Sequence, residues 1–148
     1  MKNNEIRFFL EDCKYRILDK QLIKNWLSET IILENKILGY INIIICTDNY
    51  LYELNQKYLA HDTLTDIITF DLSESNILLG EIYISIDRIK ENARMFNVAV
   101  KDELHRVMVH GVLHLCGYKD KTKKDKEQMT IKEDFYLSKR TGKLCVTA

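Results

Sequence analysis

The 148-residue chain has no proline. No turn is therefore set by a pyrrolidine ring, and no cis-prolyl bond slows folding. Neither sign of charge is in excess: 22 basic residues face 22 acidic ones, for a formal net charge of zero. That balance excludes a strongly basic nucleic-acid tail or a histone-like design, but it does not exclude a local basic patch. No apolar run approaches the roughly 18 residues needed to span a bilayer. The most apolar stretch, residues 41–46, includes Asn42 and has the length of a buried strand. The N-terminal sequence MKNNEIRFFLED passes from a short apolar patch straight into Glu11 and Asp12, unlike a signal peptide. The four cysteines, Cys13, Cys46, Cys116 and Cys145, form no CxxC pair. They read as reduced, mostly buried thiols, and the expected location is a reducing cytoplasm.

What is present describes one globular domain over residues 1–148. The chain is 46% hydrophobic and 30% charged, ordinary for a folded globule and wrong for a disordered one. A chain of this size buries roughly two-thirds of its unfolded surface and needs no disulfide or zinc staple merely to fold. Residues 5–10 read as a first strand. Residues 15–33 carry Ile17, Leu18, Leu22, Ile23, Trp26 and Leu27 at helical spacing. The β-branched run at 38–46 predicts a central strand. Thr47 or Asp48 caps a helix carrying Leu51, Leu54, Tyr58 and Leu59. A polar turn, HDTLTD, feeds a third strand at 67–70, and a fourth follows at 78–85, where Ile82 and Ile84 alternate with Glu81, Tyr83 and Ser85. Helices are expected at 87–96, about 102–115 and about 125–137, with a frayed tail beyond Arg140. The expected architecture is α+β: a single domain with a roughly four-stranded mixed sheet against about five helices.

The chemistry concentrates at three histidines within ten residues: His105, His110 and His114. His110 and His114 are four apart on a helix, so their imidazoles stack on one face, the common helical way of offering two nitrogens to one metal ion. His105 lies about 140° away around the helix and reads as a structural or supporting residue. Gly117 can take the left-handed conformation that ends a helix. The turn after it can bring Asp120 beneath the two imidazoles. Two histidines, one carboxylate and an open position describe a catalytic zinc site. The residue after the first histidine is Gly111, not the glutamate that serves zinc peptidases as general base, which argues against peptidase activity. The glycine also implies close packing against the helix at that point.

The block HGVLHLCGYKD at 110–120 closely resembles the signature of the YbeY family of bacterial endoribonucleases and rRNA maturation factors, usually H-G-x-L-H-L-x-G-Y-D-H. LNQKYLAHDTLTDIITFDL at 54–72 is similar to a second family segment through Asn55, Tyr58, Asp62, Thr65, Asp66 and Phe70. LGEIYIS at 79–85 resembles the family's L-G-D-I-x-I-S strand. The resemblance spans essentially the whole chain. Asp120 stands where the family has its third metal-binding histidine, with Lys119 in place of the usual aspartate. Leu59 replaces an arginine and Leu64 a proline.

The resemblance implies a metal-dependent, single-strand-specific endoribonuclease acting in 16S rRNA 3′-end maturation and ribosome quality control. Its partners would be ribosomal RNA, the small ribosomal subunit and ribosome-associated proteins, with no membrane. It implies one Zn2+ held by His110, His114 and Asp120, and the aspartate also suits a harder divalent ion. His114 and Asp66 are the catalytic candidates. Asp66 would accept a proton or orient one of the histidines; Ser85 is similarly placed, and Tyr118 packs beside the site. Two cleavage routes stay open, attack by a metal-activated water or by the RNA's own 2′-hydroxyl. The zero net charge hides an asymmetry, because residues 119–148 carry nine basic and five acidic residues and the body is correspondingly acidic. Lys119, Lys121, Lys123 and Lys124, with Arg106, are therefore the RNA-binding candidates. The rival readings are a non-catalytic ribosome assembly factor with a structural metal, a hydrolase of another substrate class, and a metal-free globule.

Overall fold

The computed structural model describes residues 4–59 and 65–140. The side chain of Leu59, the turn holding His61, Asp62 and Leu64, and the tail beyond Arg140 with Cys145 lie outside the described residues. The elements run β1 (Glu5–Glu11), α1 (Lys20–Leu33), β2 (Ile37–Cys46), α2 (Asp48–Leu59), β3 (Ile67–Asp71), β4 (Ile77–Ser85), α3 (Ile86–Phe96), α4 (Val100–Leu115) and α5 (Lys123–Leu137). The four strands form one sheet in the order β1-β2-β4-β3. β1 and β4 each pair with β2 in parallel, and β3 closes the edge antiparallel to β4. This is the mixed sheet with five helices that the sequence predicts.

Strand alternation sorts the side chains into two layers. Ile41, Ile43, Ile45, Ile82 and Ile84 are fully buried and join Trp26, Leu27 and Ile31 of α1 and Met108, Val109 and Val112 of α4 in the main core. On the opposite face, Cys46, Leu51 and Ile68 form a smaller cluster beneath α2. α4 is the central helix. Its residues from Glu103 to Leu115 are buried almost all round, and only the stripe carrying Arg106, His110 and His114 is half-open. Gly111 is what allows this seating: a Cβ there would lie 2.9 Å from two carbons of Ile82 and 3.1 Å from Ile67 Cδ1. The close packing expected at this glycine is thus against β3 and β4.

The helix starts differ from the sequence reading. α1 begins at Lys20, not near residue 15, because Asp19 adopts a left-handed backbone (φ 57°). Ile17 is still buried, but from the preceding loop, where Cys13 Sγ–H donates to the Ile45 carbonyl. α4 begins two residues earlier than expected, at Val100. α5 begins at Lys123, because Thr122 and Asp125 form a reciprocal capping box. Of the two caps expected for α2, Thr47 or Asp48, it is Thr47 that serves: its Oγ1 accepts from the Tyr50 N–H at 3.1 Å, and Asp48 is the first residue of the helix.

Candidate metal centre

The first two candidate ligands sit one turn apart on α4, with ring centroids 4.6 Å apart and planes at 83°. The helix stops just beyond them. Gly117 takes φ +111°, its N–H bonds the His114 carbonyl, and the Tyr118 N–H bonds the Leu113 carbonyl. That turn folds the chain back and delivers Asp120, whose Oδ2 lies 3.7 Å from His110 Nε2. One ligand atom from each of His110, His114 and Asp120 lies within 4.8 Å of the others. These three residues can hold a metal ion.

The remaining ring nitrogens explain why this donor set fits a divalent cation. His110 Nδ1 lies 2.6 Å from Glu133 Oε2, and His114 Nδ1 lies 2.9 Å from the Tyr118 carbonyl oxygen. A carboxylate and a carbonyl only accept, so both Nδ1 atoms donate, and in the neutral rings both Nε2 atoms keep a lone pair. Acceptors behind each imidazole fix its tautomer and orientation, the usual support for metal-ligating histidines. Burial opposes protonation of His110, but the Glu133 carboxylate outweighs it and raises the group above its ordinary value. His114 is lowered, first by burial and then by the neighbouring His110 charge.

Glu133 is not visible as a site residue in the sequence, yet it organises one side of the centre. It is only 7% exposed, and its second oxygen accepts from Arg106 Nη1 at 2.8 Å. Arg106 also donates to Asp134 at 2.7 Å, so its guanidinium is committed to α5. The detectable signal is a charge on the buried α5 stripe of Met129, Glu133 and Tyr136.

Asp66, at the entry to β3, has its pKa raised by burial, with the His110 charge acting against the shift. Its Oδ2 accepts from Asn92 Nδ2 at 3.5 Å and its carbonyl from the Ser85 N–H at 3.0 Å. The acceptors at the two Nδ1 atoms are Glu133 and the Tyr118 carbonyl. Ser85 is fully buried and caps α3, accepting from the Arg88 N–H while donating to Asp48 Oδ1 at 2.7 Å. His105 is 1% exposed, packs 5.6 Å from Trp26 and receives Arg140 Nη1 at Nδ1, 2.8 Å away. It is a structural core histidine. Lys119, Lys121, Lys123 and Lys124 are all exposed, at the turn and the start of α5. Burial pushes the Cys46 and Cys116 thiols up to about 12, so neither is a nucleophile at neutral pH.

A mixed β-sheet that backs a His-x3-His helix, with a carboxylate returned by the following turn, offers the three-ligand set of a metal-dependent hydrolase. Residues 5–141 match the model of the family described as Endoribonuclease YbeY. The chain is 50% identical over 141 residues to the protein of that description from Cytophaga hutchinsonii, covering 95% of this chain and 99% of the relative. It is 52% identical over 126 residues to the one from Flavobacterium psychrophilum, covering 85% and 90%. The solution structure of a Thermotoga maritima protein superposes with a TM-score of 0.62 at 34% identity, covering 88% of this chain and 85% of that one. The chain belongs to the YbeY endoribonuclease family.

Proposed function

We propose that this chain is a zinc-dependent, single-strand-specific endoribonuclease that matures the 3′ end of 16S rRNA on the small ribosomal subunit. The observation that carries the reading is the convergence of three ligand atoms within 4.8 Å, with both supporting nitrogens already engaged, in a chain of this family. The Nε2 atoms of His110 and His114 and a carboxylate oxygen of Asp120 would hold the ion. Two nitrogens and one oxygen favour zinc, and the oxygen widens the range of divalent ions accepted. When bound, the ion supplies Lewis acidity against the negative charge that builds on a phosphodiester.

Asp66 accepts the proton of the attacking nucleophile, whether water or the RNA 2′-hydroxyl. A carboxylate raised by burial is nearer the working pH and is a better base for it. Glu133 and the Tyr118 carbonyl keep both imidazoles aimed. Lys119, Lys121, Lys123 and Lys124 contact RNA phosphates, supported by their exposure and by their position beside Asp120. Arg106 contributes through Glu133 instead of meeting RNA with a free charge.

Residues 1–148 act as one catalytic domain. The proposed location is the cytoplasm, supported by three free thiols at Cys13, Cys46 and Cys116. Among the described residues, no helix is long and apolar enough to cross a membrane. The deciding experiment is cleavage of a 16S precursor fragment by the wild-type protein and by His114→Ala at matched folding. Loss of cleavage in the variant is expected, and unchanged cleavage would refute the reading.

A further inference from the structure

We infer that Glu34, distant from the ligands in sequence, is a positioning residue that holds both imidazole supports of the metal centre at once. This rests on the assignment of His110, His114 and Asp120 as ligands. Glu34 follows the last turn of α1, where its N–H bonds the Thr30 and Ile31 carbonyls. Its carboxylate is 10% exposed and gathers three donors: the Tyr118 hydroxyl at 2.8 Å, the Tyr136 hydroxyl in a short contact, and Lys132 Nζ at 3.3 Å. Burial opposes ionisation of Glu34, but these donors outweigh it and keep the carboxylate charged. A charge taken so far out of water is costly unless its partners stay in place.

The two tyrosines lead to the two histidines. The Tyr118 ring is held by Glu34 and by Lys132 over its face, 5.6 Å from the centroid. Its main-chain carbonyl is the acceptor that fixes His114 Nδ1, and Asp120 follows two residues later. Tyr136 lies three residues after Glu133 on α5, and Glu133 fixes His110 Nδ1. The Tyr136 carbonyl also accepts from Trp26 Nε1 at 2.7 Å, tying α5 to α1 a second time. One carboxylate thus sets the position of the turn behind His114 and of the helix behind His110. The Tyr118 hydroxyl is the direct link, because its loss frees the turn while the ring and the main-chain carbonyl remain.

The test is a titration of the purified full chain with Co2+, a spectroscopic stand-in for zinc, on wild type, Glu34→Gln, Tyr118→Phe and the double variant, followed by zinc competition. Each single variant should weaken Co2+ binding about tenfold, the lower range for loss of a supporting partner. Each should also alter the visible absorption of the bound ion. The double variant should lose about as much as Glu34→Gln alone, because the Tyr118 hydroxyl acts through Glu34. A lower melting temperature with unchanged Co2+ affinity and spectrum would reduce Glu34 to a structural residue and overturn the inference, as would fully additive losses. If Glu34→Gln does not fold, Tyr118→Phe decides alone on affinity and spectrum. Absence of Co2+ binding by wild type would overturn the ligand assignment itself, and this inference with it. Wild-type binding with unaffected variants would overturn the inference only.

Discussion

Replacing Glu133 with glutamine tests whether the support behind His110 matters to the metal. Both carboxylate oxygens are committed: Oε2 accepts from His110 Nδ1 at 2.6 Å and Oε1 from Arg106 Nη1 at 2.8 Å. Glutamine keeps the volume but has one oxygen, so one of these two donors must face an NH2 group. If the oxygen stays with the arginine, His110 Nδ1 becomes the acceptor and its proton moves to Nε2. That removes the lone pair a metal needs. If the oxygen turns to His110, Arg106 keeps only Asp134 on α5, and the imidazole loses the anionic partner that increased its basicity. Loss of such a supporting partner costs roughly 10–100-fold in metal affinity, equivalent to about 1.4–2.7 kcal/mol. The assay is competition with a chromophoric zinc chelator at pH 7.5, with circular dichroism confirming the fold. RNA cleavage should fall in parallel and recover partly at excess metal. Zinc affinity within about twofold of wild type would refute the reasoning.

Three further outcomes follow from other parts of the molecule. Burial first, then the Arg140 and Lys101 charges, hold the His105 pKa down to about 4 from an ordinary 6.5. The unfolded chain therefore takes up this proton first, so the stability it confers is complete above pH 6.5 and drains away as pH falls toward 4. The gap is worth roughly 3 kcal/mol, and urea melts at pH 7 and pH 4.5 should show a smaller acid loss in His105→Gln; an equal loss in both proteins would contradict it. Gly111→Ala pushes a methyl against Ile82 and Ile67 and should cost about 1–3 kcal/mol by overpacking. Calorimetry should then show a drop of several degrees, and an unchanged melting temperature would show that the helix can move off the sheet at little cost. Exchanging Lys119, Lys121, Lys123 and Lys124 for glutamine should flatten the salt dependence of single-stranded RNA binding, by about 0.7 in log–log slope for each phosphate no longer neutralised. An unaltered slope would place the RNA elsewhere.

The parts of the site visible in the sequence are those whose geometry is local. His110 and His114 face one way because four residues make about one helical turn. Asp120 returns to them because Gly117 can adopt a positive φ, within a short span of chain. Gly111 announces a close approach, although nothing local shows that Ile82 and Ile67 are what it approaches. The α1 start escapes the sequence pattern for the converse reason. Ile17 and Leu18 stand at helical spacing, but Ile17 is buried from a loop, Leu18 is exposed, and the break is a left-handed Asp19 that periodicity does not register.

Glu133 and Glu34 are illegible in a stronger sense. Each reaches its partner across elements, 23 residues from His110 and 84 from Tyr118. Yet Glu133 carries a physical mark, a carboxylate between Met129 and Tyr136 on a buried helical stripe. An ionised group placed there destabilises the fold unless donors meet it. Its occurrence is itself a statement that cations or N–H groups lie across the interface. Arg106 and His110 are those donors, and both lie on the half-open stripe of α4 that carries the ligands. Arg106, an RNA-binding candidate by sequence, is therefore better understood from Glu133: its charge offsets a buried carboxylate, and that carboxylate holds an imidazole in the tautomer that leaves Nε2 free for a metal.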